Sequence, residues 1–128
     1  MQLPNTLLRS LRIPEQRLVV IQPTDRIDLE AIGTAVLFVL ARWAIASLVS
    51  FRALNRALQD AVGSGQLRLH VADTDDQHTE EFIIRNGDVP SGGGETYWIK
   101  NGRIVAKMAN YDESRNAELL ANLHELCR

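Results

Sequence analysis

The apolar positions of the chain follow two periods, and the elements change where the period changes. Residues 17–22 (RLVVIQ) have the β-branched density of a strand and stop at Pro23, which cannot donate to a ladder. Residues 35–41 (AVLFVLA) form a nearly unbroken apolar run of strand length, which predicts a strand covered on both faces at the centre of a sheet. From 44 to 62 the spacing turns helical. Phe51, Leu54, Leu58, Ala61 and Val62 recur at three- and four-residue steps, while Arg52, Asn55, Arg56, Gln59 and Asp60 take the other face. Gly63 and Gly65 follow as stop signals. Residues 67–73 (LRLHVAD) alternate again, with Leu67, Leu69 and Val71 on one side.

A short helix is expected over 79–85, with Thr79 as its N-cap and Asn86-Gly87 as its end. Residues 95–100 and 103–108 flank Asn101-Gly102, a pair whose tolerance of positive φ is the strongest short hairpin signal. A last helix over 112–127 puts Leu119, Leu120, Leu123 and Leu126 on one face, with Asn110 or Asp112 as cap. Two weaker elements complete the pattern: a helix over 5–12, stopped by Pro14, and a turn of helix over 28–32 before Gly33. The order β-α-β-α-β-α-β-β-α predicts an α/β fold, a mixed sheet of four or five strands flanked by helices on both faces. An N-terminal helical extension at 1–16 would precede one domain at 17–128, a length that a single core organises.

Composition mainly excludes. With 45% hydrophobic and 23% charged residues the chain is globular rather than disordered. Its longest apolar run meets Arg42 far short of the roughly 20 residues of a bilayer span, and no h-region with a cleavage site opens the chain. A cytoplasmic protein without membrane contact is expected. The net charge of −2 is unevenly placed: residues 1–70 set eight arginines against five acids, whereas 71–95 set seven acids against Arg85 alone. Twelve of the fourteen basic residues are arginine, scattered rather than gathered on a stripe, which argues against nucleic acid.

Candidate chemistry is sparse. Cys127 is the single cysteine, so neither an internal disulfide nor a Cys-x-x-Cys pair exists, and it reads as a small hydrophobe beneath the last helix. His70 is expected partly buried beside Arg68 and His124 exposed; the three histidines fall on separate elements and assemble no catalytic set. Asp73, Asp75, Asp76, Glu80 and Glu81 place five acids in nine residues. They lack the glycine and glutamate of a calcium-binding loop, so no metal is expected; they read as a solvated helix start or as a docking patch for a basic partner. A strand, not a helix, follows Ser91-Gly92-Gly93-Gly94, which sets aside a phosphate loop in favour of a flexible loop able to shape itself to a protein surface.

The element order, the apolar strand running into Ala41-Arg42-Trp43, the long helix directly after it and the Lys100-Asn101-Gly102 hairpin together resemble the thioredoxin family over about residues 17–127. In that family the tryptophan is followed by Cys-Gly-Pro-Cys at the helix start, where the lowered thiol pKa produces the attacking thiolate. The matching positions here read Ala44-Ile45-Ala46-Ser47. The family's buried acid corresponds to Phe38, and its cis-proline, counted back from the hairpin, to Gly94, with Pro90 in reach only through a longer loop. The resemblance therefore implies a thioredoxin-like fold that is redox-inactive, not an enzyme, with no catalytic residue and no cofactor. Ala44, Ser47 and Gly94 would be the former redox positions.

Such a protein is expected to bind another protein, as an assembly chaperone, scaffold or inhibitor. The expected contacts are Trp43, Ile45, Asp73, Asp75, Asp76, Glu80, Glu81, Pro90 and Gly93, at the carboxyl edge of the sheet. Trp43 also reads as a core or rim residue of the helix start. A bacterial immunity protein neutralising a basic toxin is the narrower alternative, and a glutathione- or thiol-dependent enzyme using Ser47 or Cys127 is the rival from another class. The segment bearing Leu7, Leu8 and Leu11 would pack on its own domain or on a second copy, which leaves a homodimer open.

Overall fold

A computed structural model describes residues 2–61 and 64–128. Five strands form one sheet in the order β1-β3-β2-β4-β5: β1 (Leu18–Val20), β2 (Ala35–Leu40), β3 (Arg68–Asp73), β4 (Thr96–Lys100) and β5 (Arg103–Met108). β1 and β2 run parallel to β3, while β4 pairs antiparallel with β2 and β5. The apolar run becomes the central strand, with every residue of β2 buried. Its alternation divides the core between the two faces of the sheet. Val36, Phe38 and Leu40 face Phe51, Leu54 and Leu58 of α3 (Ile45–Asp60) and Leu119 and Leu123 of α5 (Asn116–Cys127). Leu37 and Val39 face Phe82 and Ile83 of α4 (Gln77–Arg85), with Leu29 and Ile32 of α2 (Leu29–Ile32) at the rim.

The hairpin turns at Asn101 (φ 51°) and Gly102 (φ 75°), as its dipeptide predicts. The turn is tied to the start of β2: the Gly102 amide donates to the Gly33 carbonyl (2.9 Å) and the Asn101 amide to Thr34 Oγ1 (3.1 Å).

Several boundaries differ from the sequence reading. The helix expected over 5–12 is a single turn, α1 (Asn5–Leu8), and the chain beyond it is irregular. Leu3, Leu7 and Ile13 nevertheless join the core against α3 and β2, so this segment packs on its own domain. β1 shrinks to three residues because 15–17 form a 3-10 turn. α4 begins two residues before Thr79. Asp76 takes the N-cap position, its carbonyl accepting the Glu80 amide (3.0 Å), and Thr79 is buried within the helix. Asp112, not Asn110, is the capping acid, accepting the Ser114 amide (2.9 Å) at a 3-10 turn over 113–115 that leads into α5. α3 ends at Asp60, with Ala61 already extended; the stop signal at Gly63 and the apolar Val62 lie outside the described residues.

Candidate functional site

The site is built where β2 gives way to α3. The Ala44 amide donates back to the Ala41 carbonyl (3.1 Å), turning the chain, and Ala44 occupies the N-cap of α3 with φ −111° and ψ 121°. An alanine offers no side-chain acceptor to the freed amides of the first turn. Ser47, one turn in, is fully buried, and its Oγ accepts the Ala41 amide at 3.0 Å. That hydroxyl closes the strand-to-helix turn rather than facing solvent. Ser50, a turn further, is also buried: its Oγ donates to the Tyr111 carbonyl (2.7 Å) and accepts the Tyr111 amide (3.2 Å).

Behind this turn Phe38 packs edge-on to Phe51, with centroids 5.3 Å apart. Gly94 closes over the pair. A Cβ there would lie 2.8 Å from Ser50 Cβ and 3.1 Å from the Phe38 ring, and its φ of +68° is one that proline's ring cannot adopt. Pro90 does not take the proline role either, since no peptide bond among the described residues is cis.

The glycine stretch is the largest departure from expectation. Gly92, Gly93 and Gly94 are buried, not free. Glu95, itself buried, turns Oε1 back to accept the Ser91 hydroxyl (2.7 Å), the Ser91 amide (3.3 Å) and the Gly93 amide (3.2 Å). The Gly93 carbonyl accepts the Asn110 amide (2.7 Å), and a Cβ on Gly93 would collide with the Asn110 side chain. A Cβ on Gly92 would lie 2.6 Å from Trp43 Cη2, so the indole lies against this glycine. The stretch is a packed strap, its glycines required by closeness as much as by positive φ.

Trp43 is 66% exposed, Ile45 79% and Val89 78%. Large apolar side chains thus stand in solvent on both segments that frame the strap. In a groove shared with Val89, the Tyr97 hydroxyl donates to Asp88 Oδ2 (3.0 Å), which also receives Lys107 Nζ (3.1 Å). Burial, reinforced by the hydrogen bond to Asp88, raises the Tyr97 pKa, so this phenol stays protonated. Burial likewise raises that of Tyr111, whose hydroxyl meets Thr96 Oγ1 at 2.7 Å.

No protein-family model and no curated protein matches the chain. Fourteen chains of solved structures do. One is the crystal structure of thioredoxin O2 from Arabidopsis thaliana in the oxidized state, at a TM-score of 0.64 and 13% identity, covering 91% of this chain and 99% of that one. The fold is thioredoxin-like.

On this thioredoxin-like frame the acidic residues separate. Asp73 pairs with Arg42 (3.4 Å) and accepts the Asp75 amide (2.9 Å), so much of its charge is spent. Asp76 sits at the head of α4, where burial and then the Asp73 carboxylate raise its pKa. Glu81 engages Gln77 (3.1 Å) and His78 (3.5 Å) and lines a separate groove with Arg26, Arg85 and Gly102, at the hairpin end of the sheet. Glu80 is exposed on α4 and Pro90 half-buried, whereas the buried Gly93 offers a partner no surface. Cys127 is exposed at the end of α5 rather than tucked beneath it, and His124 is exposed as expected. His70 is half-buried; burial, then Arg68, lowers its pKa.

Among the described residues no three His, Cys, Asp or Glu side chains gather to hold a metal ion, and no helix is long and apolar enough to cross a membrane. The sequence reading took the loop over residues 88–94 as partner-facing without singling out Val89, an apolar residue between Asp88 and Pro90, and it missed the anchoring role of Glu95. The signal for the latter was an acid immediately after three glycines, in a position entering a buried strand.

Proposed function

We propose that this thioredoxin-like protein is redox-inactive and acts by docking another protein on the edge formed by Trp43, Ile45 and the outer part of residues 88–94. The observation that carries the reading is the exposed indole of Trp43, seated on Gly92, with Ile45 two residues further along the chain and Val89 on the loop that leads to Gly92. Exposed tryptophan backed by a rigid surface is the kind of side chain that anchors interfaces. Disulfide exchange needs two thiols within reach, and the helix start offers Ala44 and a buried serine whose hydroxyl accepts a main-chain amide. Arg42 and Asp73 pair at this edge (3.4 Å), and the exposed apolar side chains are read as the main source of affinity.

The test uses a photoactivatable phenylalanine placed at Ile45 and Val89, with Ile84 on α4 and Val105 on β5 as exposed apolar controls. The same cellular protein is expected to be trapped from positions 45 and 89 and from neither control, and Trp43→Ala should abolish the adduct. Trapping from all four positions, or none, overturns the reading. So does insulin reduction that survives Cys127→Ser.

A further inference from the structure

Arginines far apart in sequence meet where the N-terminal segment crosses α3. Arg9 and Arg12, in the chain following α1, and Arg52 and Arg56, on successive turns of α3, line one groove of about 870 Å³. The crossing is pinned from below. The Arg12 amide donates to Oδ1 of Asn55 (3.2 Å), and the buried Asn55 anchors itself by donating from Nδ2 to the Phe51 carbonyl (3.0 Å). Leu7, buried in the core, fixes the other end of the segment.

Two carboxylates, Asp60 and Glu113, share the groove with these four cations. Glu113 is taken up by Arg56 through both oxygens (3.1 and 3.2 Å). Among the described residues the guanidinium groups of Arg9, Arg12 and Arg52 make no hydrogen bond or ion pair. A chain of net charge −2 thus gathers uncommitted positive charge in one concavity. Guanidinium forks match carboxylate and phosphate oxygens alike, so the rest of the lining decides. Among the described residues it consists of hydroxyls, an amide and the two acids, with no apolar or aromatic side chain. A nucleobase finds no stacking platform there, and a peptide finds no pocket for the apolar anchors on which protein interfaces depend. The volume lies within the roughly 300–1,000 Å³ of small-molecule sites.

We propose that this groove binds a compact polyanion bearing two or more phosphate groups, held by Arg9, Arg12 and Arg52. The site is independent of the docking edge at Trp43, and either reading survives failure of the other. Calorimetric titration of the full chain with inorganic tripolyphosphate at low ionic strength tests it. Saturable binding is expected, weakened at least about tenfold by Arg12→Glu with Arg52→Glu and unchanged by Arg103→Glu, an exposed arginine on β5. Tripolyphosphate should also raise the melting temperature of the parent and not of the double variant. Because those guanidiniums have no partner among the described residues, the double variant is expected to keep the circular dichroism of the parent. No saturation, equal weakening by Arg103→Glu, or tighter binding of hexaglutamate than of tripolyphosphate would overturn the proposal, the last in favour of an acidic peptide.

Discussion

Replacing Ser47 by alanine separates a structural hydroxyl from a reactive one. Ser47 Oγ is the acceptor for the Ala41 amide at 3.0 Å, and both residues are buried, so water cannot take its place without entering the core. Stranding a buried amide costs about 1–3 kcal/mol. Unfolding entropy of about 2.1 cal/mol/K per residue, over 128 residues, gives about 0.27 kcal/mol per kelvin. The melting temperature should therefore fall by about 4–11 °C, with an unchanged m-value in urea because the surface exposed on unfolding is the same. The neighbouring Ala44→Ser should act oppositely. It gives the uncapped helix an N-cap acceptor in a backbone conformation already suited to one, worth about 1 kcal/mol and roughly 4 °C. Calorimetry and urea unfolding of the parent and both variants measure the pair. If Ser47→Ala leaves melting temperature and urea midpoint unchanged, the hydroxyl is not the partner of Ala41, and the argument that it is spent on the main chain fails.

The remaining predictions concern the strap and the half-buried His70. Glu95→Ala removes the acceptor of three donors and should destabilise by about 2–4 kcal/mol, with faster amide exchange at Ser91 and Gly93; unchanged exchange would show that the strap is held by other contacts. Gly92→Ala, at φ +73°, should cost about 1–2 kcal/mol and push the indole outward, so acrylamide should quench Trp43 more strongly; equal quenching would place the ring elsewhere. Burial and Arg68 hold the His70 pKa below 6.5, so the unfolded chain binds the proton more readily. Stability should then decline as pH falls from about 6.5 towards the folded value and level off below it. His70→Gln should flatten that part of the profile, and a profile of the same slope in both proteins would contradict the assignment.

How far the sequence could be read depended on whether a position was governed by its neighbours in the chain or by distant contacts. Asn101-Gly102 dictates its own turn, and the apolar run at 35–41 has no stable place except between two covered faces, so both were legible. Thr79 misleads as a cap because its environment is set by the core beneath α4, which pattern alone does not reveal. The glycine stretch misleads in the same way. Its composition suggests freedom, but Glu95, Asn110 and Trp43 remove that freedom, and two of them lie far away in sequence. Arg9 and Arg12 are forty or more residues from Arg52 and Arg56, and the irregular chain after α1, which the sequence reads as helix, is what lays one pair across the other.

The packed strap also bears on how quickly and at what thermal cost a partner is met. A loop that must order on binding slows the approach to the final complex and pays conformational entropy at the moment of contact. Here the hydrogen bonds to Glu95 and the contacts with Asn110 already hold the backbone in place. Docking at this edge should resemble the meeting of two finished surfaces. Its kinetics would then be single-exponential, its heat-capacity change would be small and set by the apolar area covered, and affinity differences among variants would lie in how long the complex lasts.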